Sequence, residues 1–357
     1  MNLKYAVIGY GFIGRRHVKT LKSFAESDCV AVCDINPLRL KEVKELYPEI
    51  AVYDNADQLF DKTDVDGVII AANNNQHKDL VIKAARAGKH IICEKPVAMS
   101  VRDLDEMVAE VEKAGVTFTV HQQRRFDKDF RSVKECYDQK MVGDIYIIKS
   151  SLYGFNGNMH DWHVFKEEGG GMLYDWGVHL IDQILYMVNS RLISVYADIR
   201  NVINKEVDDY FKIILRFENR VTAEIELGTY ILSDRPNWFE RHWYVGGNKG
   251  SMYADKFDPS GKIVRTTRLL ENVPGDQEKS TASYGPTRSF GIPEPGLLIV
   301  EDIPQVDCEQ MDYFTNYFKA IKGEEEFLVK IPEVRRVLSV MEACWKSART
   351  MKSVDFE

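Results

Sequence analysis

The chain has 357 residues, enough for two domains that each bury a core. Hydrophobic residues at 45% and charged residues at 29% are those of an ordinary soluble globular protein, and a net charge of -8 without a basic stripe argues against nucleic acid as a partner. No apolar run is long enough to span a bilayer, so no membrane partner is expected.

Lys4–Ile8 is already strand-like, with no charged segment leading into an apolar one, which sets the expectation of a cytoplasmic protein. The six cysteines (Cys29, Cys33, Cys93, Cys136, Cys308, Cys344) contain no C-x-x-C pair and read as small buried residues in a reducing compartment. Tyr5–Ile8, Val30–Cys33, Val68–Ala71, His90–Cys93 and Val116–Val120 are apolar runs that suit strands covered on both faces. Between them the pattern predicts helices from Ile13 to about Phe24 and over Pro37–Leu46, Asp79–Ala87 and Val101–Ala114. The last two stop at Gly88 and Gly115. Such alternation predicts a doubly wound parallel sheet with ligands at the carboxyl ends of its strands.

After a helix at Phe130–Gln139 the alternation ends. Ile145–Tyr153, Ile193–Ile199, Tyr210–Phe217, Val221–Tyr230 and Trp243–Gly246 predict a mostly antiparallel sheet. One amphipathic helix, Leu173–Val188, is set among them, and Val273–Pro304 reads as a long loop or arm. Gln310–Lys322 and Ile331–Met351 close the chain as helices, and Glu324–Glu326 is a solvated turn. The domains expected are residues 1–122 for dinucleotide binding and 123–357 for substrate binding and oligomerisation.

Gly9-x-Gly11-x-x-Gly14 sits between the first strand and the first helix, the context a Rossmann phosphate-binding turn requires. Gly9, Gly11, Phe12, Ile13 and Gly14 are therefore candidate cofactor contacts, with the pyrophosphate at the helix N-terminus. Asp34, 20 residues past Gly14, ends the second strand, where an acid accepts from the ribose hydroxyls and repels a 2′-phosphate. NAD is thus expected over NADP, with Arg39 the one nearby residue able to reverse that.

Two further motifs follow in order. Glu94-Lys95-Pro96 succeeds the strand at His90–Cys93, and Gly169-Gly170-Gly171 leads through Asp175 to His179. With the Rossmann start, these resemble the glucose–fructose oxidoreductase / inositol dehydrogenase / rhizopine catabolism (Gfo/Idh/MocA) family over nearly the whole chain. The resemblance implies an α/β N-terminal Rossmann domain and a C-terminal α+β domain with a large open, mostly antiparallel sheet. It also implies homo-oligomers, dimers or tetramers, formed through that sheet. By the same resemblance Lys95, Asp175 and His179 are catalytic. Ala72, Asn74 and His77 belong to a loop that touches the cofactor, Glu94 lies at the nicotinamide edge, and Arg124 sits near the nicotinamide or substrate. Asn73 stands where the family usually has proline.

A secondary alcohol needs a proton acceptor at its hydroxyl and a hydride acceptor facing its carbon. Asp175 and His179, four residues apart, are expected to share a helix face that Asp182 continues. His179, oriented by Asp175 and assisted by Lys95, is the expected acceptor, with Lys95 the other candidate base. His160-Asp161-Trp162-His163 is dense in ligand types, but the surrounding glycines suggest a loop; no metal is expected, and substrate contact competes with simple packing. Tyr153, Asn156 and Asn158 suit a polyhydroxyl ligand by type. Trp238, Phe239, His242, Trp243 and Tyr244 read as core or interface. The function expected is NAD-dependent oxidation of a sugar, cyclitol or glycoside, with the C3 hydroxyl of a glycoside as one version. The alternatives are an enzyme that retains NAD without net redox change and a non-catalytic NAD-binding sensor.

Overall fold

The computed structural model describes residues 2–154, 159–232, 234, 239–271, 279–281, 285–287 and 295–356. Asn156, Asn158, Trp238 and half of the segment 273–304 lie outside the described residues.

The first half is built as its apolar runs predict. In order come β1 (Leu3–Ile8), α1 (Phe12–Ser23), β2 (Ser27–Cys33), α2 (Pro37–Leu46), β3 (Ala51–Tyr53), α3 (Ala56–Lys62) and β4 (Gly67–Ile70). Then follow α4 (His77–Arg86), β5 (His90–Cys93), α5 (Val101–Ala114) and β6 (Phe118–Val120). The strands form a parallel six-stranded sheet ordered β3-β2-β1-β4-β5-β6, with Val7 paired to Val32 on one side and Ile69 on the other. Strand order reverses beside β1, which opens a crevice at the carboxyl ends of β1 and β4.

The second half continues with α6 (Lys128–Asp138), β7 (Ile145–Tyr153), α7 (Val178–Met187), β8 (Leu192–Arg200), β9 (Tyr210–Phe217) and β10 (Thr222–Gly228). It goes on through β11 (Glu240–Gly247), β12 (Gly250–Asp255), β13 (Ser260–Thr266), a short ribbon of β14 (Lys279–Thr281) and β15 (Gly285–Thr287), and β16 (Leu298–Asp302). The chain closes with α8 (Asp312–Ile321), α9 (Ile331–Thr350) and β17 (Val354–Asp355). The nine-stranded sheet runs β16-β13-β12-β11-β7-β10-β9-β8-β17, and only β7 and β10 pair in parallel. It is a mostly antiparallel sheet, and the fold is α/β.

Three features depart from the sequence expectations. Strands β12, β13 and β16 were not foreseen, and β16 lies inside the segment read as loop or arm. Its pattern alternates exposed with half-buried residues, so it carries little apolar signal. The expected helix Leu173–Val188 is two pieces, a π-helical turn at Leu173–Gly177 running into α7. Lastly, α8 lies against the first sheet rather than the second. Its Tyr317 hydroxyl meets that of Tyr5 at 2.9 Å, while Phe314 and Phe318 pack on Phe24 of the loop after α1.

Candidate active site

The dinucleotide end is built from backbone. Gly9 turns with φ +95°, where a side chain would collide with the Ala71 carbonyl, and a Cβ on Gly14 would strike the carbonyl of Gly9. Gly11 by contrast faces open space. It caps α1 with no side-chain bond, and the first turn holds no acid, so the helix N–H groups stand free for an anion. Phe12 is exposed and Ile13 half-buried beside this opening. The residues present fit a dinucleotide pyrophosphate.

Asp34 is buried at the end of β2, where it accepts from Tyr10 N at 2.6 Å and Asn36 N at 2.8 Å. Arg39 Nη1 lies 3.2 Å from Asp34 Oδ2. The cation that could reverse the cofactor preference therefore sits on the acid that sets it.

Several expected cofactor contacts also hold the loops around the site in place. His77 is fully buried with Nδ1 2.9 Å from Pro96 O and Nε2 3.0 Å from Ala72 O. It braces the loop after β4 against Lys95–Pro96 and has no ring nitrogen left for a ligand. Asn74 donates to Gly169 O at 2.9 Å. Asn73 adopts φ -64° and ψ 149°, the geometry a proline there would impose, so asparagine at this position leaves the backbone path unchanged. Glu94 is buried, accepting from Lys95 N and bonding through Oε1 to His17 Nε2 at 2.7 Å and His121 Nδ1 at 2.8 Å. Burial alone would raise its pKa, but the two histidines hold it well below the carboxylate norm.

The reaction end brings together side chains from distant segments. Lys95, just past β5, places Nζ 2.8 Å from both Oδ1 and the backbone oxygen of Asp175. Burial pushes the Asp175 pKa up, but Lys95, His163 and Arg124 together hold it below its ordinary value. His179, on the first turn of α7, is buried, and burial followed by the charges of Lys95 and Arg124 pushes its pKa well down. It is a neutral imidazole at physiological pH. Arg124 bonds Asp127 at 2.8 Å and lies 4.0 Å over the Trp176 ring, near Phe257.

The expectation that Asp175 orients His179 directly is corrected. Asp175 spends its oxygens on Lys95 and, at 3.6 Å, on His163, while Nδ1 of His179 meets Gln122. Asp182 does not continue the site either, because it holds the buried Arg125 through two bonds. Of the His160–His163 loop, His163 reaches Asp175 and stacks on Trp162 at 3.9 Å, whereas His160 points to solvent paired with Asp161. Tyr153 gives its hydroxyl to Glu226. His17, Glu94 and His121 are the only converging metal-ligating trio among the described residues. Their ligand atoms are already engaged with one another, which makes them a hydrogen-bonded brace.

The sequence reading passed over Gln122, Trp176 and Asp208. Gln122 lies just past the carboxyl end of β6, where ligands gather in such sheets, and that position was the available signal. Asp208 accepts from Leu173 N at 2.7 Å and so caps the segment carrying Asp175.

Comparison with known proteins agrees with this fold. Residues 3–122 match the model of the oxidoreductase family with an NAD-binding Rossmann fold, and residues 130–253 match the GFO/IDH/MocA C-terminal domain. A solved NAD-binding protein from Listeria innocua is 31% identical, with a TM-score of 0.85 over 99% of this chain and 96% of that one. The myo-inositol 2-dehydrogenase of Thermotoga maritima is 28% identical over 77% of this chain and 80% of its own. The 2,7-anhydro-N-acetylneuraminate hydratase of Mediterraneibacter gnavus is 26% identical over 96% of this chain and 94% of its own.

Proposed function

The chain belongs to the Gfo/Idh/MocA family, as an NAD(P)-dependent oxidoreductase acting on CH–OH groups, and from that premise we propose that it oxidises a secondary hydroxyl of a sugar, cyclitol or glycoside to a ketone. The observation that carries this reading is the convergence of Lys95, Asp175 and neutral His179 beside an open dinucleotide turn. NAD, when bound, supplies the hydride acceptor. Lys95 offers its ammonium to the substrate oxygen and stabilises negative charge there. Asp175 holds Lys95 in place, and His179 takes the hydroxyl proton, a role worth roughly 10²–10⁴-fold. Gly9, Gly11, Phe12, Ile13, Gly14, Asp34, Ala72 and Arg124 serve the cofactor, while His163 and Trp162 border the substrate.

In this proposal residues 1–122 bind NAD, and residues 123–357 bind substrate and associate with a second copy. Exposed Tyr146, Tyr196, Tyr244 and Tyr253 across the nine-stranded sheet support that association. Six unbridged, buried cysteines suit the cytoplasm. No helix among the described residues is long and apolar enough to cross a membrane.

The test is NADH formation, followed by absorbance, across sugars, inositols and glycosides. Turnover of a glycoside over free inositol supports the C3-glycoside version, and the opposite preference removes it. Absence of any NADH with every polyol, in protein shown to bind NAD, sinks the dehydrogenase reading. A relative named as a hydratase favours a second reading, transient oxidation with NAD retained. Product without net NADH, from protein purified with cofactor, distinguishes the two.

A further inference from the structure

Nδ1 of His179 lies 2.9 Å from Oε1 of Gln122, and both side chains are buried. A carboxamide oxygen only accepts, so the shared proton sits on Nδ1 and the lone pair is left on Nε2. We infer that Gln122 is the positioning residue that fixes the tautomer of His179 and so makes its Nε2, rather than the Lys95 amine, the proton acceptor. The inference rests on the proposed reading of His179 as the base.

An acid would be the obvious orienting partner, yet Asp175 is committed to Lys95. A neutral amide has a different effect from a carboxylate. It holds the ring without adding the negative charge that would raise the ring's affinity for a proton. The charged groups around His179 act in the same direction. Lys95 after β5, Arg124 of the turn after β6, and His121 at the end of β6 oppose its protonation, and Glu94 favours it. Arg125, the other cation of that turn, is neutralised by Asp182 of α7 and Glu333 of α9.

Gln122 is itself well anchored. Its N–H donates to Val120 O, and its carbonyl accepts from Arg125 N. Its Nε2 is buried with no hydrogen-bond partner among the described residues. An unspent amide donor one group away from the base fits a ligand oxygen. The rival orientation, with the amide turned end for end, would donate Nε2–H to Nδ1. That would put the imidazole proton on Nε2 and remove the acceptor.

The experiment uses full-length protein saturated with NAD and labelled with ¹⁵N at histidine, the His179 signals being assigned by their loss in His179→Gln. Long-range proton–nitrogen spectra should show His179 protonated on Nδ1 and pyridine-like at Nε2. On the best substrate, Gln122→Met should lower kcat on the order of 10-fold or more, with KM changed about 3-fold at most. Gln122→Glu should move the acid limb of the kcat profile up by about one pH unit, because the carboxylate stabilises the imidazolium. A wild-type ring protonated on Nε2, or an acid limb and kcat unmoved in both variants, overturns the inference. If Gln122→Met does not fold, the wild-type spectrum and Gln122→Glu still decide. If no substrate turns over, it is the proposed function that fails, and the spectrum still reports the tautomer.

Discussion

At the scale of single residues, the site divides charge between two pairs and leaves one base neutral. Lys95 sits with Asp175, Arg124 with Asp127, and His179 stays uncharged between them. Lys95→Ala should lower kcat by roughly 10²–10³-fold, the usual cost of losing one donor to a developing oxyanion. Steady-state rates on the best substrate check this, and unchanged turnover would remove Lys95 from the chemistry. Arg39 carries a second prediction. Its guanidinium lies beside Asp34, where a 2′-phosphate would fall, so residual use of NADP should depend on it. Arg39→Ala should cut kcat/KM for NADP about 10-fold while NAD changes little, the loss of one charge-assisted contact. The proposed catalytic and cofactor residues, from Gly9 to His179, were legible as candidates because they lie in short motifs. Gln122 acts on a histidine 57 positions away and was invisible for that reason. His77 and Glu94 were read as cofactor contacts from their position in motifs; their bracing bonds to buried partners were not legible there.

At the scale of elements, the turn Leu173–Gly177 concentrates the site's specialised geometry. It is a π-helical turn, a form frequent at functional sites, and it leaves the Asp175 carbonyl able to accept from Lys95. Its entry is Gly171 at φ +104°, where a Cβ would collide with the Asp208 carboxylate. Nothing in the residue types from 173 to 188 distinguishes a π-turn from an α-helix, so the sequence reading joined them. Asp208 yields a pH prediction. Burial raises its pKa from 3.8 to about 7, so between those values the unfolded chain releases a proton that the folded chain keeps. Its contribution to stability is therefore present below about pH 4 and is lost as pH rises toward 7. Asp208→Asn keeps an acceptor for Leu173 N and removes the titration. The fall in Tm between pH 5 and pH 8 should be smaller in the variant by a few degrees, roughly 2–3 kcal/mol, as read by calorimetry. Equal falls in both proteins would refute the assignment.

At the scale of the molecule, the outer face of the nine-stranded sheet and the position of α8 each carry a consequence. Tyr146, Tyr196, Tyr244 and Tyr253 on that sheet, each about half exposed, suit burial against a second copy. Replacing Tyr244 and Tyr253 with Lys should shift the protein to monomer in analytical ultracentrifugation. A wild type that sediments as a monomer would dismiss the interface. The general plan, a parallel sheet followed by an antiparallel one, was legible because buried parallel strands are continuous apolar runs. Strands β12, β13 and β16 were not, because weak alternation gives no such signal. The destination of α8 was also hidden, since an amphipathic helix does not say which sheet it will cover. Residues 1–122 alone would expose Tyr5, Phe24 and His17 where Phe314, Tyr317 and Phe318 now lie. That fragment should therefore aggregate, or lack fixed near-ultraviolet circular dichroism. A monomeric, well-packed fragment that binds NAD would contradict this.

The bond between Tyr5 and Tyr317 joins residues 312 positions apart. On the ribosome, the cofactor-binding half is made well before the helix that covers one face of its sheet. For most of translation the nascent chain carries an uncovered aromatic face around Tyr5, the kind of surface that chaperones hold. Acquisition of the cofactor is then set by the end of synthesis, so a message truncated before codon 312 should yield no NAD-binding product even though every glycine of the turn has been translated.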